Sequence, residues 1–253
     1  MKQNKSIIID SNSIELPTGW DKLTADQITY IAKQKFQCPD RSTYMTNSLL
    51  HLLGFKPKKG INVSDASLQF NFVKDNQMFK IDAITILSMF EKIEWLNEPA
   101  GAMECPQFKN VKAPNSKLYG VSLEKFMHID RIYCDFVNTT DPKLLDPLFA
   151  SLYKGKNGFK KVTELDKFVV VFWFTGLKTW MKYKYPYVFS SSDSEYFDDE
   201  TFEETPIEEY IMSIVASLNE GRAADNDNIK QGEVHEMFFE LNRKIEFAKS
   251  QKK

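Results

Sequence analysis

With 253 residues, of which 42% are hydrophobic and 27% charged, the chain is long enough to bury a core without disulfides or a structural metal. Lys and Arg number 33 against 35 Asp and Glu, a net charge of -2, which argues against the global basic field of a general nucleic-acid binder. Cys38, Cys105 and Cys134 are widely spaced with no C-x-x-C pair, which argues against a disulfide framework or a zinc site and predicts reduced thiols.

From the start, Ser6 to Asp10 and Ser13 to Leu16 read as a small hairpin around Ser11-Asn12, closed by Pro17. Thr24 and Gln27 form a capping box that starts a helix, with Leu23 and Ile28 as its hydrophobic staple and Ile28, Ile31, Ala32 and Phe36 as its buried face. A second helix fits Arg41 to Leu53 through Tyr44, Met45, Ser48, Leu49 and Leu52, with Gly54 as its left-handed stop. Alternating apolar residues between Leu68 and Ile81, around Lys74-Asp75-Asn76-Gln77, predict a second hairpin. The spacing of Ile84, Leu87, Ile93 and Leu96, flanked by Ile86, Met89 and Phe90, then predicts one long helix from Asp82 to Leu96.

The stretch 100–120 holds Pro and Gly but little periodicity, and is the only internal boundary the sequence offers. Beyond it, Ser122 caps a helix to Val137, and Asp141-Pro142 opens another that runs through Tyr153. Thr163 and Asp166 cap a segment from Glu164 to about Tyr185 that is apolar nearly all round at Phe168 to Phe174. A buried strand competes for that run, but its length and the Thr cap favour a central helix. After Pro186 a polar, acidic run over 190–209 leads to two final helices, Ile207 to Leu218 and Glu233 to Lys249. The expected fold is mainly α, one helical domain over 1–253 with one or two small β-hairpins in the N-terminal half.

The first residues lack the apolar core of a secretory leader, and Phe168 to Phe174 is far shorter than the ~20 residues needed to span a bilayer, so no membrane insertion is expected. His51, His128 and His235 are never paired at metal-ligand spacing. His235-Glu236 opens like the zinc-protease motif, but Phe239 stands where its second histidine belongs. Gly155 to Lys161 lacks the glycine spacing and the Lys-Ser or Lys-Thr of a phosphate loop. No catalytic residue, metal ligand or cofactor is therefore expected. The alternative left open is an enzyme whose carboxylate or thiol site is assembled from residues distant in sequence.

What stands out is a charge switch. Lys154, Lys156, Lys160, Lys161, Lys167, Lys178, Lys182 and Lys184 precede nine acids between Asp193 and Glu209. Trp180, Tyr183, Tyr185, Tyr187 and Phe189 lie among or beside the lysines. Solvated lysines on a core helix are the plain reading; the sharper one makes Lys178, Lys182 and Lys184 a partner surface, with Asp198, Asp199, Glu203 and Glu204 as its complement on another copy. The last helix carries the stripe Val234, Met237, Phe238, Leu241, Ile245 and Ala248. Phe238 and Leu241 dock either on the chain's own core or in a partner's groove.

Three segments, Leu16 to Gln27 (LPTGWDKLTADQ), Leu148 to Lys154 (LFASLYK) and His235 to Lys244 (HEMFFELNRK), together resemble helical virion-morphogenesis proteins of tailed bacteriophages. The resemblance implies a non-enzymatic component of the tail or head-to-tail connector, or an assembly chaperone that leaves the particle. It implies partners among other virion or assembly proteins and further copies of the chain, and a location in the host cytoplasm during assembly and then the virion. It brings no catalytic residues.

Overall fold

The computed structural model of the protein describes residues 7–8, 15–38, 40–57, 69–75, 77–155, 159–189, 206–208, 211–212 and 228–251. The fold is mainly α. The chain divides into two compact units, Met1–Glu104 and Cys105–Lys253, with the division inside the irregular stretch 100–120. Among the described residues no helix is long and apolar enough to cross a membrane.

In the first unit, the hairpin expected from Ser6 to Asp10 and Ser13 to Leu16 falls largely outside the described residues, of which Ile7–Ile8 form β1. This strand pairs in parallel with β4 (Gln77–Asp82), Ile7 against Phe79 and Ile8 against Lys80, and Glu15 and Leu16 lie outside any strand. The edge of an existing strand pair offers β1 backbone partners at once. That pair is β3 (Gln69–Lys74) with β4, antiparallel and in register at Phe72 and Phe79, with Asp75 at φ +49° in its turn. With β2 (Lys56–Pro57) the sheet order is β1-β4-β3-β2.

Helix α1 (Ala25–Gln37) starts at the reciprocal Thr24–Gln27 capping box and buries Ile28, Ile31 and Ala32, with the staple residue Leu23 also buried. Phe36 departs from the expected face and is 44% exposed. Its neighbour Lys35 turns inward instead, its ammonium 5.4 Å from the Tyr44 ring and donating to the Asn97 carbonyl. Helix α2 (Arg41–Leu52) is capped by Asp40 and buries Tyr44, Met45, Ser48 and Leu49. The Tyr44 hydroxyl donates to the Leu96 carbonyl at 2.7 Å.

Helix α3 (Ala83–Lys92) is shorter than expected. It passes into a 3-10 turn at Glu94–Asn97, and it buries Ile86 and Met89, with Ile93 and Leu96 buried beyond it. Ile84 and Leu87, assigned to the inner stripe from spacing, are 79% and 59% exposed. On so apolar a helix two stripes fit the same period. The phase is set instead by the entry from β4 through the Asp82 cap, which accepts from Thr85 N–H at 2.7 Å.

The second unit is built on α4 (Leu123–Thr139), α5 (Leu145–Leu152), α6 (Glu164–Lys184), the short α7 (Pro186–Phe189) and α8 (Val234–Ser250). Ser122 caps α4, and the segment begun by Asp141-Pro142 opens as a 3-10 turn before α5. Thr163 and Asp166 form a complete capping box for α6, so Phe168 to Phe174 is helix and not strand. Its Trp173 and Phe174 are fully buried, and Phe174 meets Phe126 and Tyr133 of α4 at ring-centroid distances of 6.1 and 5.1 Å. Phe238 of α8 closes edge-on against Phe126 at 5.3 Å. Of the penultimate helix expected over 207–218, only 207–208 and 211–212 are described, both helical.

Candidate interaction surface

The four acids expected to face a partner, Asp198, Asp199, Glu203 and Glu204, lie outside the described residues. The structure separates the five other candidates into buried and exposed groups. Phe238 and Leu241 are buried against the unit's own core, at 0% and 5% exposure, because the first half of the α8 stripe packs on α4 and α7, while Ala248 at its far end is exposed. They are corrected from partner residues to core residues.

Lys178 is likewise corrected. It is 5% exposed, with its ammonium 2.8 Å from Asp130 Oδ1 and 4.8 Å from the Tyr133 ring centroid. Asp130 is fully buried on α4; its Oδ2 accepts from Ile207 N–H at 2.9 Å, while Oδ1 has the ammonium for charge but no donor aligned for a hydrogen bond. A buried lysine needs such a counter-charge, and nothing in the sequence links Asp130 to Lys178.

Lys182 and Lys184 are exposed at the end of α6. The Lys184 ammonium lies 4.8 Å from the Trp180 ring, 5.0 Å from Tyr185 and 5.6 Å from Tyr119, inside cation–π range of all three. Burial lowers its pKa, but hydrogen bonding and charge interactions with Tyr185 and Tyr119 outweigh that and hold it above the ordinary value. Lys117 brings a second ammonium within 5.3 Å of Trp180.

Beneath this cluster sits His235, whose Nε2 is 2.5 Å from the Lys117 carbonyl and whose Nδ1 is 2.9 Å from the Tyr185 hydroxyl. A carbonyl can only accept, so Nε2 carries the proton and Nδ1 accepts from Tyr185. Burial pulls the His235 pKa down, against a smaller raising effect of the Lys117 carbonyl. The ring is therefore held as a neutral linker between α6, α8 and the 105–121 strand of chain.

Sequence reasoning missed the residues next to Tyr119. Lys112 and Lys154 form an isolated antiparallel bridge, made possible by Gly155 at φ +123°, where a Cβ would stand 3.0 Å from the Asn110 carbonyl. Leu118 is fully buried at φ +60°, a conformation that costs a non-glycine residue about 1–2 kcal/mol. Burial of its side chain and a 2.8 Å bond from its N–H to Asn115 O hold it there. Lys112, Leu118, Tyr119, Lys125 and Lys154 together line a groove of about 450 Å3. No local signal joins Lys112 to Lys154; only the bridge does.

Thiol chemistry has little support from Cys105. Burial pushes its thiol up to about 12, and it contacts the Tyr153 hydroxyl at 3.2 Å. Among the described residues there is no group of three His, Cys, Asp or Glu placed to hold a metal ion. Comparison with protein-family models, with curated proteins and with solved structures finds no match to this chain.

Proposed function

We propose that the protein is a non-enzymatic, self-associating component of phage particle assembly, most simply a structural protein of the tail or head-to-tail connector. The observation that carries the interaction reading is the double use of α8. One face packs Val234, Phe238 and Leu241 into the core, while Phe239 and Phe247, two turns apart, are 64% and 66% exposed. Large aromatic side chains left outside on a helix already anchored by another face are the raw material of protein interfaces. Tyr183, 79% exposed beside Lys182 and Lys184 on α6, adds the aromatic and cationic mixture found at such contacts.

The phage assignment is supported by the resemblance of residues 16–27, 148–154 and 235–244 to virion-morphogenesis proteins. The second reading within it is an assembly chaperone that leaves the particle. Mass spectrometry of purified particles and of assembly intermediates tests both. A fixed copy number in mature particles supports the structural component, presence only in intermediates supports the chaperone, and absence from both defeats the virion reading.

A further inference from the structure

The groove of the second unit is lined by three exposed ammonium side chains, Lys112, Lys125 and Lys154, and by no Asp or Glu. Each lysine is placed against its local electrostatics. Lys112 and Lys154 exchange both backbone hydrogen bonds, at 2.7 and 3.0 Å, which sets their side chains on the same side of the pairing, where like charges repel. Lys125 stands in the first turn of α4, near the positive end of the helix dipole, where a cation is disfavoured. Among the described residues none of the three has a carboxylate partner. Three unfavourable placements converge on one space, and an anionic occupant turns all three favourable.

The rest of the lining narrows the occupant. Ala113, Pro114 and Val121 are half-buried apolar residues and Tyr119 is an exposed aromatic, surfaces that a bare phosphate would leave unused. An occupant in which acids alternate with aromatic side chains satisfies both. The chain itself carries such a segment, Asp193-Ser194-Glu195-Tyr196-Phe197-Asp198-Asp199-Glu200-Thr201-Phe202-Glu203-Glu204. We propose that the Lys112, Lys125 and Lys154 groove of one copy receives the acidic, aromatic segment 193–204 of a second copy. The proposal builds on the self-association reading above and names its contact. A groove and a segment on different parts of one chain form a heterologous, head-to-tail contact, which repeats into a ring or a filament.

The test uses the full chain and a fluorescent synthetic peptide of residues 193–204, with binding read by anisotropy. The parent is expected to bind, and replacing Lys112, Lys125 and Lys154 together with Ser is expected to weaken binding at least about tenfold. Replacing Lys160 and Lys161, exposed but outside the groove, leaves it within about twofold. A groove variant that binds like the parent overturns the proposal, and so does a parent that binds a single-stranded oligonucleotide or inorganic phosphate but not the peptide. For the second copy, the groove variant and a variant with Asp198→Asn, Asp199→Asn, Glu203→Gln and Glu204→Gln are each expected to self-associate at least about tenfold more weakly by light scattering at low salt, and when mixed to recover one-to-one pairs, since each brings one working half of the contact. Weakening in both variants with no pairing on mixing overturns the second-copy assignment. Self-association undiminished in both variants defeats the groove and leaves the assembly reading standing. Absence of the chain from particles, with the groove contact intact, defeats the phage reading alone.

Discussion

Asp130 and Lys178 belong to different helices, and each is intelligible only through the other. Asp130 on α4 is fully buried and Lys178 on α6 nearly so, with 2.8 Å between carboxylate and ammonium. Removing one partner strands the other charge in the interior, so Lys178→Ala is expected to destabilise the second unit by about 3–5 kcal/mol. The double replacement Asp130→Leu with Lys178→Met, which leaves no buried charge, is expected to recover most of that loss. Urea unfolding of the three proteins measures it; a single variant as stable as the parent shows that the pair is solvated. His235 supplies a pH test. Its folded-state pKa is lowered by burial, so near and below the ordinary value of about 6.5 the unfolded chain binds more protons than the folded one. The associated stability is present above that value and lost as pH falls from it towards the folded pKa, where protonation would turn Nδ1 into a donor facing the Tyr185 hydroxyl. Lys184 and Lys117 oppose that protonation and Glu233 favours it. Unfolding free energies measured across this window should decline with acid, and His235→Gln should flatten the decline.

Caps and aromatic runs were the parts of the fold most open to reading in advance, because both are local. The Thr24–Gln27 and Thr163–Asp166 boxes start α1 and α6 where the sequence places them. The Thr163 box also decides between helix and strand for Phe168 to Phe174, a choice periodicity alone leaves open. What was not legible is the phase of α3, where Ile84–Leu87 and Ile86–Met89 share the same spacing and only the entry from β4 selects the buried pair. The path of β1 was hidden for a similar reason, since its partner β4 is far along the chain. For α6 the local signal carries a quantitative expectation: Trp173 is fully buried, and Trp173→Ala should cost about 3–5 kcal/mol through lost contacts and a residual cavity. Thermal unfolding read at the second unit checks this, and an unchanged melting temperature would contradict the burial of the run.

At the scale of the whole molecule, the charge switch noticed in the sequence dissolves on the cationic side into separate roles. Lys178 neutralises Asp130 in the core, Lys184 sits among three aromatic rings, and Lys154 joins Lys112 and Lys125 at the groove. Counting lysines along the chain could not separate these roles, because the helix phase of α6 and the Lys112–Lys154 bridge assign them. The acidic side remains one block of sequence, nine acids between Asp193 and Glu209, and acids so crowded repel one another until a cationic surface is opposite. Exposed charges act over a Debye length of about 8 Å at physiological ionic strength, so their effect should fall mainly on the rate of encounter. Association of the parent chain, followed by stopped-flow light scattering, should therefore slow steeply as salt is raised. The variant with Asp198→Asn, Asp199→Asn, Glu203→Gln and Glu204→Gln should associate at least about tenfold more slowly at low salt and approach the parent's rate at high salt, where screening removes the difference. Equal rates at low salt would mean that the acids only keep the surface hydrated and that copies recognise one another elsewhere, with the exposed Phe239 and Phe247 of α8 the next residues to replace.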